Sequence, residues 1–383
     1  LMITFTYVFL HILLLYVFYK YSLKFKKKQL QYWKIASIPI IFFSLEEGLR
    51  WGRFIDWCAY YDTYYNGLET SKFEFLFKEW WGLFHNLNIP YSIVIMTCSL
   101  LFILSLFIFF KPYANLFSIF FPVLISFTAL SAENFIRWYV AFSVILVSFR
   151  FFLDKKFVRF IILASLVPFL HVGIVPVGII MILSTFWKYP ISPLLVIFVS
   201  LAFLFLFQAS FMLNFIFIVD LFFGNVEKFS GYMNNLDGWL TGIGQNSTME
   251  HKSIMIYIIS MLPLYCVLYT AYKLRDKLSS EFSIMYNLGA IGVIFLSISS
   301  GLELVQRYAE TYYPFLALLI ACVINFLPNY KHMNIYLKKM IQLICYVFIV
   351  YKFILFIQPL SHEAFMCYVW NYWLSPQATF NLY

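Results

Sequence analysis

Residues 50–62 read Arg50-Trp51-Gly52-Arg53-Phe54-Ile55-Asp56-Trp57-Cys58-Ala59-Tyr60-Tyr61-Asp62. Two guanidiniums this close can grip a phosphate or pyrophosphate through paired N–H donors. The aromatic faces beside them can stack on sugar rings. Glu133 and Arg137 are spaced i, i+4, which on a continuous helix puts both on one face. His171 stands between two apolar stretches, Leu166–Leu170 and Val172–Pro176, so a lipid-facing position would leave its ring unsatisfied. Glu303, Gln306, Arg307 and Glu310 follow at helical spacing, flanked by Tyr308, Tyr312 and Tyr313. Carboxylates and histidine can take a proton from a hydroxyl. Arginine can stabilise an anionic leaving group without a metal. Each group also has a plain structural explanation: an interfacial aromatic belt with snorkelling arginines, a local ion pair, a core histidine, a solvated helix end.

The elements that must position these residues are membrane helices. The chain has 383 residues, of which 63% are hydrophobic and 12% charged, and its mean hydropathy is +0.82. Soluble domains are nearer half apolar and a quarter charged. The composition therefore predicts an all-α, polytopic membrane protein forming one integral membrane domain over residues 1–383. Its net charge of +9 caps apolar segments rather than forming a nucleic-acid surface, and anionic lipid head groups would add to that attraction. The six cysteines show no metal-ligand spacing. No Walker motif, Gly-x-Ser-x-Gly elbow or DxD sequence occurs, so no metal or cofactor is expected.

Apolar segments of about span length fall at 3–20, 33–47, 91–110, 113–131, 135–152, 157–171, 172–187, 191–210, 254–273, 283–300, 311–327 and 339–357. These give about 12 spans, with 11 as the alternative if 157–187 is one helix. Charge chooses between the two. With the longer count, Lys and Arg number 18 in the loops on one side, among them Lys20–Lys34, Arg150–Arg159 and Lys273–Lys277, against eight on the other. The positive-inside rule then sets the orientation, with both termini outside. The residues with chemistry fall on the outer side, in or near the two long outer segments 48–90 and 211–253 or at outer span ends. Ionisable groups near membrane depth are costly and so mark functional sites. Arg50, Arg137, His171 and Arg307 are expected to surround one cavity open to the outer leaflet.

At these residues the chain resembles the Wzy/EpsG type of bacterial polysaccharide polymerases. The pattern Arg50-x-Gly52-x-x-x-Asp56-x-x-x-Tyr60-Tyr61 is similar to that family's first outer segment. Arg137-Trp138-Tyr139-Val140-Ala141, then Asp154-Lys155-Lys156-Phe157, Ala164 and His171, is similar to its central stretch. Glu303-x-x-x-Arg307-Tyr308 with Tyr312-Tyr313 resembles its late outer motif. Trp138, where the family often has Gln, and Val172 after the histidine are departures from the pattern.

The resemblance implies a GT-C-like glycosyltransferase of the bacterial inner membrane with its active site facing outward. It would join polyprenyl-pyrophosphate-linked oligosaccharide repeats, using the growing chain as donor and an incoming repeat as acceptor. Lipids and a chain-length regulator protein are the other implied partners; nucleic acid is not. In that chemistry Arg137 and Arg307, with Arg50 and Arg53 assisting, would hold the pyrophosphate. His171, Glu303, Asp56 and Glu133 are the candidate bases. Trp51, Tyr60, Tyr61, Tyr308 and Tyr312 would orient sugars. The competing readings are an O-antigen ligase or membrane O-acyltransferase, and a lipid-linked oligosaccharide flippase. The flippase is disfavoured because segments 91–131, 191–210 and 339–357 are nearly free of charge.

This topology is checked by labelling single cysteines in intact cells. Residues 273–277 should be shielded from an impermeant reagent. Labelling there from outside would make 157–187 one span and move Glu303–Glu310 to the inner side.

Overall fold

A computed structural model of the chain describes residues 2–357 and 367–368, apart from 27–28, 52–54, 70, 188, 207–253, 278, 280 and 300–302. Arg53 and the expected outer segment 211–253 lie outside the described residues. The rest is helical, with loops and one short antiparallel pairing of Arg50–Trp51 (β1) with Cys367–Tyr368 (β2). Helices form where the apolar runs lie because a chain in lipid must satisfy its backbone groups internally. Serine and threonine hydroxyls inside them bond back to the preceding turn, as Ser44 does to the Ile40 carbonyl and Thr128 to that of Leu124.

The contacts divide the chain into two compact units: residues 1–186 with 346–383, and residues 187–345. The first unit begins with α1 (Met2–Ser22), α2 (Tyr32–Gly48), α3 (Ile55–Asp62) and α4 (Phe75–Asn86). It continues with α5 (Tyr91–Phe109), α6 (Phe117–Asn134), α7 (Ile136–Leu153), α8 (Phe157–Leu170) and α9 (Val175–Ser184). Helix α5 packs on both α2 and α7, and α1 packs on α2 and α6. Phenylalanine fills the seams: the Phe107 and Phe121 rings are 4.4 Å apart, and Phe18 lies 4.9 Å from Phe121. The second unit contains α10 (Pro193–Leu206), α11 (Ile254–Leu274), α12 (Phe282–Ile298), α13 (Glu303–Thr311) and α14 (Tyr313–Phe326). There α12 packs on α10, α13 and α14. Helix α15 (Ile335–Ile357) is the last one described.

Every expected apolar segment thus carries helix, with 191–210 described as far as residue 206. Among the described residues, four segments are long and apolar enough to cross a membrane: Val8–Phe25, Tyr91–Phe109, Ile136–Leu153 and Tyr257–Leu274. Helices α13 and α14, bent by 41° at Tyr312, form a fifth if taken together. Helices α8, α9, α10 and α12 are apolar but shorter.

Two breaks matter for the site. Phe135 is non-helical (φ −94, ψ 56) and separates α6 from α7. The expected shared face of Glu133 and Arg137 is therefore not formed, since the i, i+4 relation needs an unbroken helix. The second break is at His171, whose backbone is extended (φ −163, ψ 107). Around it the chain doubles back. Helix α8 lies along α7 after the tight turn at Lys155. Past His171, a Cβ at Gly173 would lie 3.5 Å from Trp138, and one at Gly178 would lie 3.7 Å from Ile145. Helix α9 thus runs beside α7 in the same direction as α7. Residues 157–187 are two opposed helices, not one.

The end of α2 is set by a close approach. A Cβ on Gly48 would sit 2.3 Å from the Met96 Cβ and 2.6 Å from its Cα, so only glycine lets α2 press on the backbone of α5. Gly48→Ala should force the helices apart at a cost of about 1–3 kcal/mol, seen as a lower thermal midpoint in detergent. An unchanged midpoint would mean that this contact does not fix α2.

Candidate active site

The polar centre of the first unit is a residue that local spacing did not single out. Glu74 precedes α4 on an extended backbone (φ −64, ψ 149). Its Oε2 accepts a 2.9 Å hydrogen bond from Arg137 Nη1. Its Oε1 lies 3.2 Å from His171 Nδ1 and 3.4 Å from the Val172 amide nitrogen. One carboxylate therefore joins the start of α7 to the turn after α8. Arg137 Nε also donates to the Tyr60 hydroxyl at 3.1 Å, and its guanidinium lies 4.5 Å from the Phe73 ring centroid, within cation–π range.

Burial alone would raise the Glu74 pKa. The hydrogen bond from His171 and the charges of His171 and Arg137 outweigh it and lower the pKa to about 2. Glu74 is thus an anion at neutral pH and can only accept, so Nδ1 of His171 carries a hydrogen. In the neutral ring this leaves Nε2 as the acceptor. The His171 ring meets Trp138 edge to face at 5.4 Å. Gly173 keeps its flank uncrowded, since a Cβ there would already touch His171 Cε1 at 3.5 Å. The Arg137 and His171 side chains stay 24% and 18% exposed, against 8% for Glu74. The pair can meet a ligand while its anion is shielded.

Aromatic packing fixes the segment that delivers Glu74. Trp81 is fully buried and contacts Phe77, Tyr60 and Tyr91 at 4.7, 5.6 and 5.9 Å between centroids. Trp57 stacks on Tyr61 at 5.3 Å. Two of the expected sugar platforms, Tyr60 and Tyr61, therefore have packing partners. Tyr60 reaches the site through its hydroxyl rather than an open face.

Arg50 is placed differently. Its side chain is 3% exposed, donating at 2.8 Å to Glu47 and at 2.8 Å to the Glu133 carbonyl, with the Glu133 carboxylate 3.7 Å away. Glu46 and His11 lie in the same unit, 3.5 Å apart and equally enclosed. A guanidinium committed in this way is taken up by acceptors of the protein itself, and its geometry joins α2 to α6. Glu133 is likewise taken up by Arg50. The side chains of Trp51, Asp56 and Glu303 lie outside the described residues. In the second unit, Gln306 donates to Glu310 at 2.7 Å on α13, as their spacing predicts. Tyr308 and Tyr312 stack on Phe295 at 6.1 and 5.7 Å. Tyr312 is fully buried and offers no face to a sugar. Arg307 is partly exposed on the same helix. Among the described residues, no group of three or more His, Cys, Asp or Glu side chains is arranged to hold a metal ion.

The family model described as "EpsG family" matches residues 32–370. The chain belongs to the EpsG family. That membership points to a polymerase-type membrane glycosyltransferase of polysaccharide biosynthesis. No curated protein and no solved structure matches the chain. The EpsG match spans both units and includes Arg50, Glu74, Arg137, His171 and Arg307.

The lowered Glu74 pKa has a pH signature. Its contribution to stability is complete above the unfolded value near 4.5 and is lost as pH falls toward about 2. Glu74→Gln in this EpsG-family chain should lower the thermal midpoint at pH 7 and flatten the fall of the midpoint between those pH values. Parallel curves for the two proteins would remove Glu74 from the coupling.

Proposed function

We propose that the chain polymerises oligosaccharide repeats carried on a polyprenyl pyrophosphate, at the outer face of the bacterial inner membrane. The observation that carries this reading is the single carboxylate of Glu74 joining Arg137 to His171. A cation and a base held side by side suit a displacement in which an anion leaves and a hydroxyl attacks. The bond between the donor's anomeric carbon and the pyrophosphate oxygen breaks, and its electron pair stays on that oxygen. Arg137 stabilises the charge with its planar fork. The acceptor hydroxyl oxygen bonds to the anomeric carbon, and its proton passes to Nε2 of His171. The resulting imidazolium is stabilised by Glu74, much as a buried carboxylate supports the histidine of a hydrolase triad. The lipid-linked donor supplies its own leaving group, so no nucleotide is needed.

Arg307 is a second candidate for the pyrophosphate on its residue type and its place in the late motif, and Arg50 is assigned to packing instead. The aromatics near Arg137, above all Phe73 and Trp138, shape the approach to the pair.

The test is glycan length in a deletion strain complemented with single variants at matched protein levels. Arg137→Lys should cut polymer formation about 10²–10³-fold, the loss typical when one oxyanion donor is removed, because an ammonium cannot reproduce the bidentate fork. His171→Gln should do the same. Full-length polymer from Arg137→Lys would sink the pyrophosphate role. Normal polymer with lost attachment to its final acceptor would point to a ligase.

A further inference from the structure

A cavity of about 120 Å³ lies between α7, α8 and α9, and its lining starts about one helical turn from His171. Val167 and Val175 line it on either side of that residue, and the Val167 carbonyl accepts the His171 amide at 2.9 Å. From there it follows α8 back past Ala164 and α9 forward past Gly178. Residues 160–168 of its α8 wall correspond to about 12 Å of helix. Its floor is the buried pair Ile145 and Phe149 of α7. One hydroxyl borders it, that of Ser148, which is given to the Ile145 carbonyl at 3.1 Å. The rim is exposed: Ile179 is 52% accessible. The outward faces of both helices are apolar too, with Ile161, Ile162 and Phe169 of α8 and Leu183 of α9 open to the surroundings.

A water here would meet one hydroxyl, that of Ser148, whereas a buried water needs two to four partners. A dry apolar void of comparable size is known to take a benzene-sized guest. A protein segment is too thick for it, whereas a hydrocarbon chain is not. We infer that this slot receives the isoprenoid segment adjoining the pyrophosphate, so that the lipid is held at both its charged head and the start of its tail. This rests on the reading of Arg137 as the pyrophosphate ligand. The exposed Ile179 rim would admit the chain sideways between α8 and α9. The gain comes from apolar packing along the slot. An unfilled apolar cavity costs roughly 24 cal/mol per Å³, so even partial filling is worth on the order of tenfold in affinity.

The experiment uses the full chain in detergent with three probes: farnesyl diphosphate, inorganic pyrophosphate and farnesol. Ala164→Phe and Gly178→Leu each put a side chain into the slot, and thermal melting identifies a variant that does not fold. The wild type should bind farnesyl diphosphate about tenfold more tightly than either filled-slot variant does, while pyrophosphate binds all three equally. Equal farnesyl diphosphate binding by wild type and both variants, or no binding of any farnesyl probe, overturns the slot. Farnesol separates the two readings. If it binds the wild type, is lost on filling the slot, and pyrophosphate does not bind, the tail site stands and the Arg137 assignment falls. If farnesyl diphosphate binds as expected but deletion leaves polymer length unchanged, the tail site stands and the polymerase reading falls.

Discussion

An ionised carboxylate in an apolar setting has to be answered on both of its oxygens. Glu74 meets that demand with a guanidinium on one side and an imidazole and a backbone amide on the other. The elements that supply these partners are far apart in sequence, 63 residues to Arg137 and 97 to His171, so the anion acts as their common reference point. The aromatic packing of residues 57–91 holds the segment that carries Glu74 and so sets where α7 and the α8–α9 turn can meet. Remove the charge, and both partners lose the reason for their positions.

The polar groups cluster where helices stop. At Phe135, His171 and Tyr312 the regular backbone ladder is interrupted, and chemistry-bearing side chains stand within a few residues of each break. The physical reason is shared: a helix end leaves backbone groups unsatisfied, and a site that must bind polar substrate needs such irregular backbone gathered in protein rather than facing lipid. Arg50 shows the other use of charge in this fold. It lies among Glu47 and Glu133 with almost no exposure, an arrangement in which losing one partner would strand the others.

Patterns that depend on local periodicity were legible in the sequence. The apolar segments carry helices, and the Gln306–Glu310 pair forms at its predicted spacing. The doubling back at His171 is the arrangement that the distribution of Lys and Arg along the chain favours. Patterns that depend on contact across the chain were not legible. Glu133 and Arg137 looked paired because four residues separate them, yet the break at Phe135 sends them to different partners. Glu74 looked like one more acid in a mixed outer segment; its place just before an amphipathic helix was the available signal. Glu47, set three residues before Arg50, could have been read as its partner. His11, within the first apolar run, was a charge-capable group at a depth where such groups are rarely idle.

The brevity of α8 and α9 has a mechanical consequence. At 14 and 10 residues they reach about 21 and 15 Å, whereas an ordinary hydrocarbon core is about 30 Å thick. A bilayer meeting so short a hairpin pays for the mismatch by thinning around it. The hydrocarbon around these two helices would then be thinner than around the longer ones. Sensitivity to the acyl length of the host bilayer would then be a property of the fold itself.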